Sequence, residues 1–214
     1  VQPIHADNCR PVARRQRMGR GRMPMKAPRS PARGAGQVRI IGGRWRNTKL
    51  AIGDIAGLRP TGDRARETLF NWLMPALPGA RVLDLFAGSG ALGLEAVSRG
   101  AASAVLVERD AAQAAHLREA VAKLGANGQV TVVQDDALRW LATAPPAAFD
   151  IVFLDPPFAA GLLPQLLPAL PPHLAAAAWI YAEAPDAPGD VPPGWAEHRQ
   201  MRTRETCCTV YRAQ

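Results

Sequence analysis

The stretch Arg81–Gly93, RVLDLFAGSGALG, constrains the fold more than any other part of the chain. Val82, Leu83, Leu85 and Phe86 run into Gly88-x-Gly90-x-x-Gly93, and a helix-forming segment follows. A short apolar run without alternation reads as a strand buried on both faces, as in a parallel sheet covered by helices. The glycine spacing matches the turn of a strand–loop–helix unit that lets backbone approach a nucleotide-like ligand. From Arg81 onward the pattern alternates. Strands are predicted at about 81–86, 104–108, 130–134, 149–154 and 178–183. Helices are predicted at about 91–99, 111–124, 136–143 and 161–170, the last containing Pro164 and Pro168. This is a doubly wound α/β parallel sheet. Residues 196–203 and 206–212 instead read as two strands with no helix between them, a hairpin added to the sheet edge after the Pro-rich 184–194.

The fourth predicted strand, Phe149–Leu154, empties into Asp155-Pro156-Pro157-Phe158. Two successive prolines cannot continue a ladder and hold the backbone stiff and extended. The result is a rigid ledge with a carboxylate, a backbone carbonyl and an aromatic face. A planar base with an exocyclic amine could use all three: N–H bonds to Asp155 and the Pro156 carbonyl, and the ring stacked on Phe158. The alternative is a proline-rich strand end that happens to follow an aspartate.

Two cofactors compete for the glycine loop. A nicotinamide dinucleotide would bring a pyrophosphate, which Asp84 repels. S-adenosylmethionine carries an ammonium and a sulfonium and no phosphate, so Asp84 favours the methyl donor. Glu108, 20 residues after Gly88, can accept both ribose hydroxyls. Asp136 can take the adenine amino group, or serve only as a helix N-cap; Glu108 could likewise be a plain surface acid. Phe86, Ser89, Arg109 and Ala137 flank these groups and complete the expected cofactor set.

The net charge of +8 is unevenly spread. Residues 1–36 hold nine basic residues against one acid, residues 37–66 seven against two, and residues 67–214 ten against fifteen. An acidic body with a basic front end is the asymmetry of a polyanion binder, although a merely solubilising tail has the same composition. Three parts are expected: a disordered basic tail over 1–36, a hairpin-and-helix appendage over 37–79, and the α/β domain over 80–214. In the appendage, Arg39, Arg44, Trp45 and Arg46 are candidate RNA contacts; Trp45 could equally pack the hairpin onto the body. The helix after Leu58-Arg-Pro-Thr-Gly-Asp63 is capped by Thr61 or Asp63, carries its apolar stripe on Leu69, Trp72, Leu73, Ala76 and Leu77, and starts on a solvated polar turn. Cys9, Cys207 and Cys208 form no CxxC pair, so reduced, packing cysteines and no metal site are expected. No apolar run reaches the roughly 18 residues of a membrane span, and the Arg-rich start lacks the apolar segment of a secretory signal. A cytoplasmic monomer is expected.

DLFAGSGALG followed at the fourth strand by DPPF resembles the S-adenosylmethionine-dependent amino-methylating enzymes. Arg39–Arg46, RIIGGRWR, and Leu58–Leu73, LRPTGDRARETLFNWL, narrow this: the chain resembles the bacterial 16S ribosomal RNA guanine-N2 methyltransferases of the RsmD type, from about Val38 to Arg212. The resemblance implies a Rossmann-like class I fold with a seven-stranded sheet ordered 3-2-1-4-5-7-6. It implies methylation of a guanine in 16S RNA of an assembled or assembling small subunit. It also implies that Arg59, Thr61, Arg64, Arg66 and Glu67 line the cofactor or RNA side. Residues 159–195 match less well. Competing readings are adenine-N6 methylation of DNA or RNA, glutamine methylation (which calls for Asn in place of Asp155), a non-catalytic RNA-binding assembly factor, and a nicotinamide-dependent oxidoreductase.

Overall fold

The computed structural model describes residues 37–51, 62–187, 189–203 and 205–214. The expected tail, Cys9, Arg59 and Thr61 lie outside the described residues. Strands β1 (Gln37–Arg39) and β2 (Lys49–Ala51) pair antiparallel as the expected hairpin, with Arg39 opposite Lys49. Helix α1 (Asp63–Leu73) follows. The main sheet contains β3 (Arg81–Asp84), β4 (Ser103–Glu108), β5 (Val130–Gln134), β6 (Phe149–Leu154), β7 (Leu174–Ala184), β8 (Trp195–Arg202) and β9 (Cys207–Ala213). Its order is β5-β4-β3-β6-β7-β9-β8, so counted from β3 it is 3-2-1-4-5-7-6 as the resemblance implies. Only β9 runs against its neighbours, pairing antiparallel with β7 and with β8. Helices α2 (Gly93–Ser98), α3 (Ala111–Lys123), α4 (Ala137–Thr143) and α5 (Leu163–Ala169) supply the crossovers.

Alternation along buried strands sends successive side chains to opposite faces. In β6, Ile151 and Phe153 join one apolar layer with Val82, Tyr181 and Val210, against Leu69, Phe70 and Leu73 of α1. Val152 and Leu154 join the other, against Leu163, Leu166 and Leu167 of α5. Phe70 meets Phe153 edge-on with ring centroids 6.0 Å apart, a favourable aromatic geometry. Cys207 and Cys208 are both buried because β9 is covered on both sides.

Several element ends differ from expectation. The fifth strand begins at Leu174 rather than near 178, and its pairing with β6 shifts register between Phe149 and Ile151. Ala177 takes a positive φ of 57° within that irregularity. Helix α5 starts at Leu163 with Pro164 in its first turn, where a missing N–H is harmless. The residues before it form a separate short turn, Phe158–Ala160, closed by left-handed Gly161. Helix α1 has Gly62 as its N-cap and no side-chain cap bond. Asp63 instead pairs with Arg66 at 2.7 Å and with Arg39 at 3.3 Å.

Residues 41–45 are fastened to α2. Glu95 is 0 % exposed and accepts from the backbone N–H groups of Ile41 at 2.6 Å and Gly42 at 2.7 Å, and from Arg99 Nε at 2.6 Å. Ser98 Oγ donates to the Gly42 carbonyl at 2.6 Å and accepts from Trp45 N–H at 2.9 Å. At Gly43, with φ 75°, a Cβ would lie 1.9 Å from the Ser98 carbonyl oxygen, so no other residue allows this approach. A buried carboxylate is tolerated only when its charge is met by donors, and removing one side of such an arrangement leaves the others orphaned. Replacing Glu95 by Ala is expected to destabilise the protein by about 3–5 kcal/mol, read from urea denaturation; a midpoint equal to wild type would show that this anchor carries no stability.

Candidate active site

Strand β3 lies directly between β4 and β6, and all three run parallel. Asp84 pairs in register with Phe153, and Leu85 N–H donates to the Phe153 carbonyl at 3.2 Å. The glycine loop and the Asp155 ledge therefore leave the sheet side by side at the same carboxyl edge, where ligands bind in open α/β sheets. The fold brings together the two stretches that sequence reasoning coupled only by inference.

The loop is built from the sheet outward. Gly88 and Gly90 take φ of 51° and 79°, which L side chains seldom adopt. At Gly93 a Cβ would stand 2.2 Å from Leu106 Cδ2, so this glycine lets α2 pack against β4. Gly93 N–H donates to Asp84 Oδ2 at 3.0 Å. Gly88 N–H donates to Glu108 Oε2 at 2.9 Å, and Asp110 N–H donates to Glu108 Oε1 at 2.7 Å. Gln113, buried on α3, donates from Nε2 to the Gly88 carbonyl at 2.7 Å. Sequence reasoning missed Gln113; a polar residue at a position that buries Ala114 and Leu117 nearby was its only signal.

Asp84 is buried, and its Oδ1 has no hydrogen-bond donor among the described residues. Burial pushes its carboxyl up to about 7, which the Gly93 and Phe86 amides partly offset and the nearby Glu108 charge reinforces. An orphaned acceptor beneath a glycine loop fits a cofactor that brings a cationic donor, and a phosphate would worsen its position. Glu108 already accepts one bond on each oxygen, and a carboxylate has about four lone-pair sites, so accepting ribose hydroxyls remains open to it. Asp136 caps α4, its Oδ1 accepting from Leu138 N–H at 3.0 Å and Arg139 N–H at 3.3 Å. Asp136 and Ala137 stand at the end of β5, beyond the β4 edge that carries Glu108 and exposed Arg109. Ser89 is buried in the loop, and Phe86 is half-buried beside it.

On the ledge, Asp155 is half-buried, Pro156 is buried and Phe158 is 42 % exposed. The Pro157 carbonyl accepts from Ala160 N–H at 3.0 Å, which fixes the turn and leaves Phe158 outward. Pro156, Pro157 and Phe158 line a cleft of about 280 Å³ with Leu162, Glu183 and Ala184.

The basic candidates fall into two groups. Arg44, Arg46 and Arg64 are exposed, and Arg39 is half-exposed while pairing with Asp63. Trp45 is only partly exposed: it packs against the core, with the Arg44 guanidinium 4.1 Å from its ring centroid. The packing alternative for Trp45 thus describes what its ring does. Arg66 departs from expectation. It is 1 % exposed and donates to the Arg39 carbonyl at 2.9 Å and to Asp63 at 2.7 Å, so it ties α1 to β1 from inside rather than facing RNA. Among the described residues there is no cluster of three or more metal-ligating side chains and no helix long and apolar enough to cross a membrane.

The sheet order, the glycine loop and the acidic ledge beside it define a Rossmann-like, S-adenosylmethionine-dependent class I methyltransferase. Within that class the chain belongs to the family described as Conserved hypothetical protein 95, whose model matches residues 38–212. It is 46% identical over 185 residues to ribosomal RNA small subunit methyltransferase D of Escherichia coli K12, covering 85% of this chain and 92% of the relative. The protein of that name from Haemophilus influenzae is 42% identical over 173 residues, covering 78% and 90%. The solved structure of the Escherichia coli protein yhhF superposes with a TM-score of 0.77 at 43% identity, over 84% of this chain and 99% of that one.

The raised Asp84 carboxyl has a consequence for stability. Between pH 4 and 7 the folded state holds a proton that the unfolded chain has released, so stability falls as pH rises through that window and levels off above it. Replacing Asp84 by Asn keeps an acceptor for Gly93 and removes the titration. The stability advantage of D84N over wild type, without cofactor, is expected to grow from pH 4 to pH 7 and then stay level. Denaturation at a series of pH values checks this; a pH-independent difference would show that Asp84 titrates normally.

Proposed function

We propose that the protein methylates the exocyclic 2-amino group of a guanine in 16S ribosomal RNA of the small subunit. The single observation that carries this reading is the side-by-side exit of the glycine loop and the Asp155 ledge from β3 and β6. The names of the similar Escherichia coli and Haemophilus influenzae proteins supply the substrate class. The exposed Arg39, Arg44, Arg46 and Arg64 form the RNA-facing side of the appendage, where they pair with phosphates.

S-adenosylmethionine, when bound, supplies an electrophilic methyl carbon on a positively charged sulfur. Asp84, Glu108 and the Gly88–Gly90 backbone would hold it, with Asp136 toward its adenine. An aromatic amine is a poor nucleophile because its lone pair is delocalised into the ring. Asp155 and the Pro156 carbonyl accept its two N–H bonds, which favours a pyramidal nitrogen and turns the lone pair toward the cofactor side. As the N–C bond forms and the methyl carbon's bond to sulfur breaks, its electron pair leaving on sulfur as a neutral thioether, Asp155 offsets the positive charge on nitrogen and then takes the proton. Phe158 stacks on the ring, which must be unpaired to reach it. Fixed orientation of the two reactants can contribute ~7–11 kcal/mol.

Replacing Asp155 by Ala is expected to slow methyl transfer by about 100-fold or more while cofactor binding by calorimetry survives. Near-normal turnover would remove Asp155 from the mechanism. The reading as a whole is tested by incubating the protein with labelled methyl donor and undermethylated small subunits, then identifying the modified nucleoside by mass spectrometry. N2-methylguanosine is expected; N6-methyladenosine would overturn it. Removing residues 1–36 is expected to weaken RNA binding and flatten its salt dependence, because fewer counterions are released. An unchanged salt slope would exclude the tail from binding.

A further inference from the structure

A second carboxylate stands beside the ledge. Strands β6 and β7 are parallel, with Phe153 opposite Tyr181 and Leu154 opposite Ala182. One residue further on, Asp155 leaves its strand alongside Glu183. Glu183 and Tyr181 share a face. Glu183 lies two residues from Tyr181 on the same strand and accepts its hydroxyl proton on Oε2 at 2.6 Å. Phe153 and Tyr181 lie on that same side of the sheet, with ring centroids 6.2 Å apart. Asp155 and Glu183 both act electrostatically on the Tyr181 hydroxyl and on the Cys208 thiol, so their charges converge on one spot.

Glu183 is 5 % exposed, an unusual position for an acid on a strand otherwise built of Leu, Ala, Trp, Ile and Tyr. Burial lifts the Tyr181 hydroxyl well above its ordinary range, so it stays protonated and keeps donating. Tyr181 also reaches Cys208 Sγ at 3.3 Å, which fixes its ring from the β9 side. The Glu183 carboxylate is therefore held in one orientation by a rigid donor, and residue Glu183 is among those lining the cleft beside Pro156, Pro157 and Phe158.

A guanine presents two kinds of donor side by side on one edge, the 2-amino group and the ring N1–H. An adenine presents its amino group beside a bare ring nitrogen, which is an acceptor. A single carboxylate ledge serves either amine. A second carboxylate beside it suits only the base whose neighbouring ring nitrogen carries a proton, because two acceptors facing each other repel and stay unpaired. We propose that Glu183 is a specificity-determining residue that accepts the ring N1–H of the target guanine while Asp155 and the Pro156 carbonyl hold the 2-amino group. The inference rests on the guanine reading above and adds the residue that would enforce it.

2-Aminopurine separates the two contributions, since it keeps the 2-amino group and has an unprotonated ring N1. Small-subunit particles are reconstituted with 16S RNA carrying either guanine or 2-aminopurine at the mapped position, and transfer of labelled methyl is compared. Wild type is expected to prefer guanine by at least about tenfold. E183Q preserves the shape and an acceptor for Tyr181, and its amide can also donate to an unprotonated N1, so the preference is expected to fall to within about threefold. A lower folded fraction would reduce both rates alike and leave their ratio unchanged. Equal rates for the two bases in wild type, or an undiminished preference in E183Q, would overturn the role of Glu183 while leaving guanine-N2 methylation standing. A wild-type protein that methylates neither base would overturn the guanine reading and this inference with it.

Discussion

The pairing of β3 with β6 is the constraint on which the site depends. These strands are separated by more than sixty residues of chain, yet the ladder sets Asp84 level with Phe153. Everything at the carboxyl edge inherits that register. On one side the chain turns through glycines that bring backbone close to a ligand; on the other it turns through prolines that keep a carboxylate and a carbonyl in fixed positions. Crossover helices on both faces hold the two ends together, and neither loop would have a defined partner without them.

Buried carboxylates organise the rest, and each is satisfied differently. Glu95 is met by two backbone amides and Arg99 and serves as an anchor between the appendage and α2. Asp84 accepts from the Gly93 amide, feels that of Phe86, and retains one buried oxygen without a hydrogen-bond donor among the described residues. Glu183 is held by a tyrosine whose hydroxyl burial pushes well above its ordinary pKa. Helix α2 connects the first two: its start forms the end of the glycine loop, and its middle and end hold residues 41–45. The segment that carries Arg44, Trp45 and Arg46 and the glycine loop thus meet at two ends of one short helix.

Much of the fold could be read from the chain because hydrophobic period and glycine or proline punctuation report local structure directly. The apolar runs at 82–86 and 149–154 marked buried strands, and the two helix-free strands at the end marked the antiparallel hairpin. The errors fell where tertiary contacts override local signals. The Leu174–Ala177 extension of β7 follows from its pairing with Phe149, across a register shift. Arg66 looked like part of a solvated helix start, and only the closeness of β1 and α2 gives its guanidinium partners away from water.

The sequence by itself determined the class of sheet, the glycine turn, the stiff acidic ledge and the basic front end, because each is written in residues a few positions apart. The tertiary structure alone decided which acids converge. Asp84, Glu95, Asp155 and Glu183 are all carboxylates in apolar surroundings, indistinguishable by composition. Their different tasks come from which strand or helix the fold lays beside each one, since only a neighbour in space can donate the hydrogen bond that a buried charge requires.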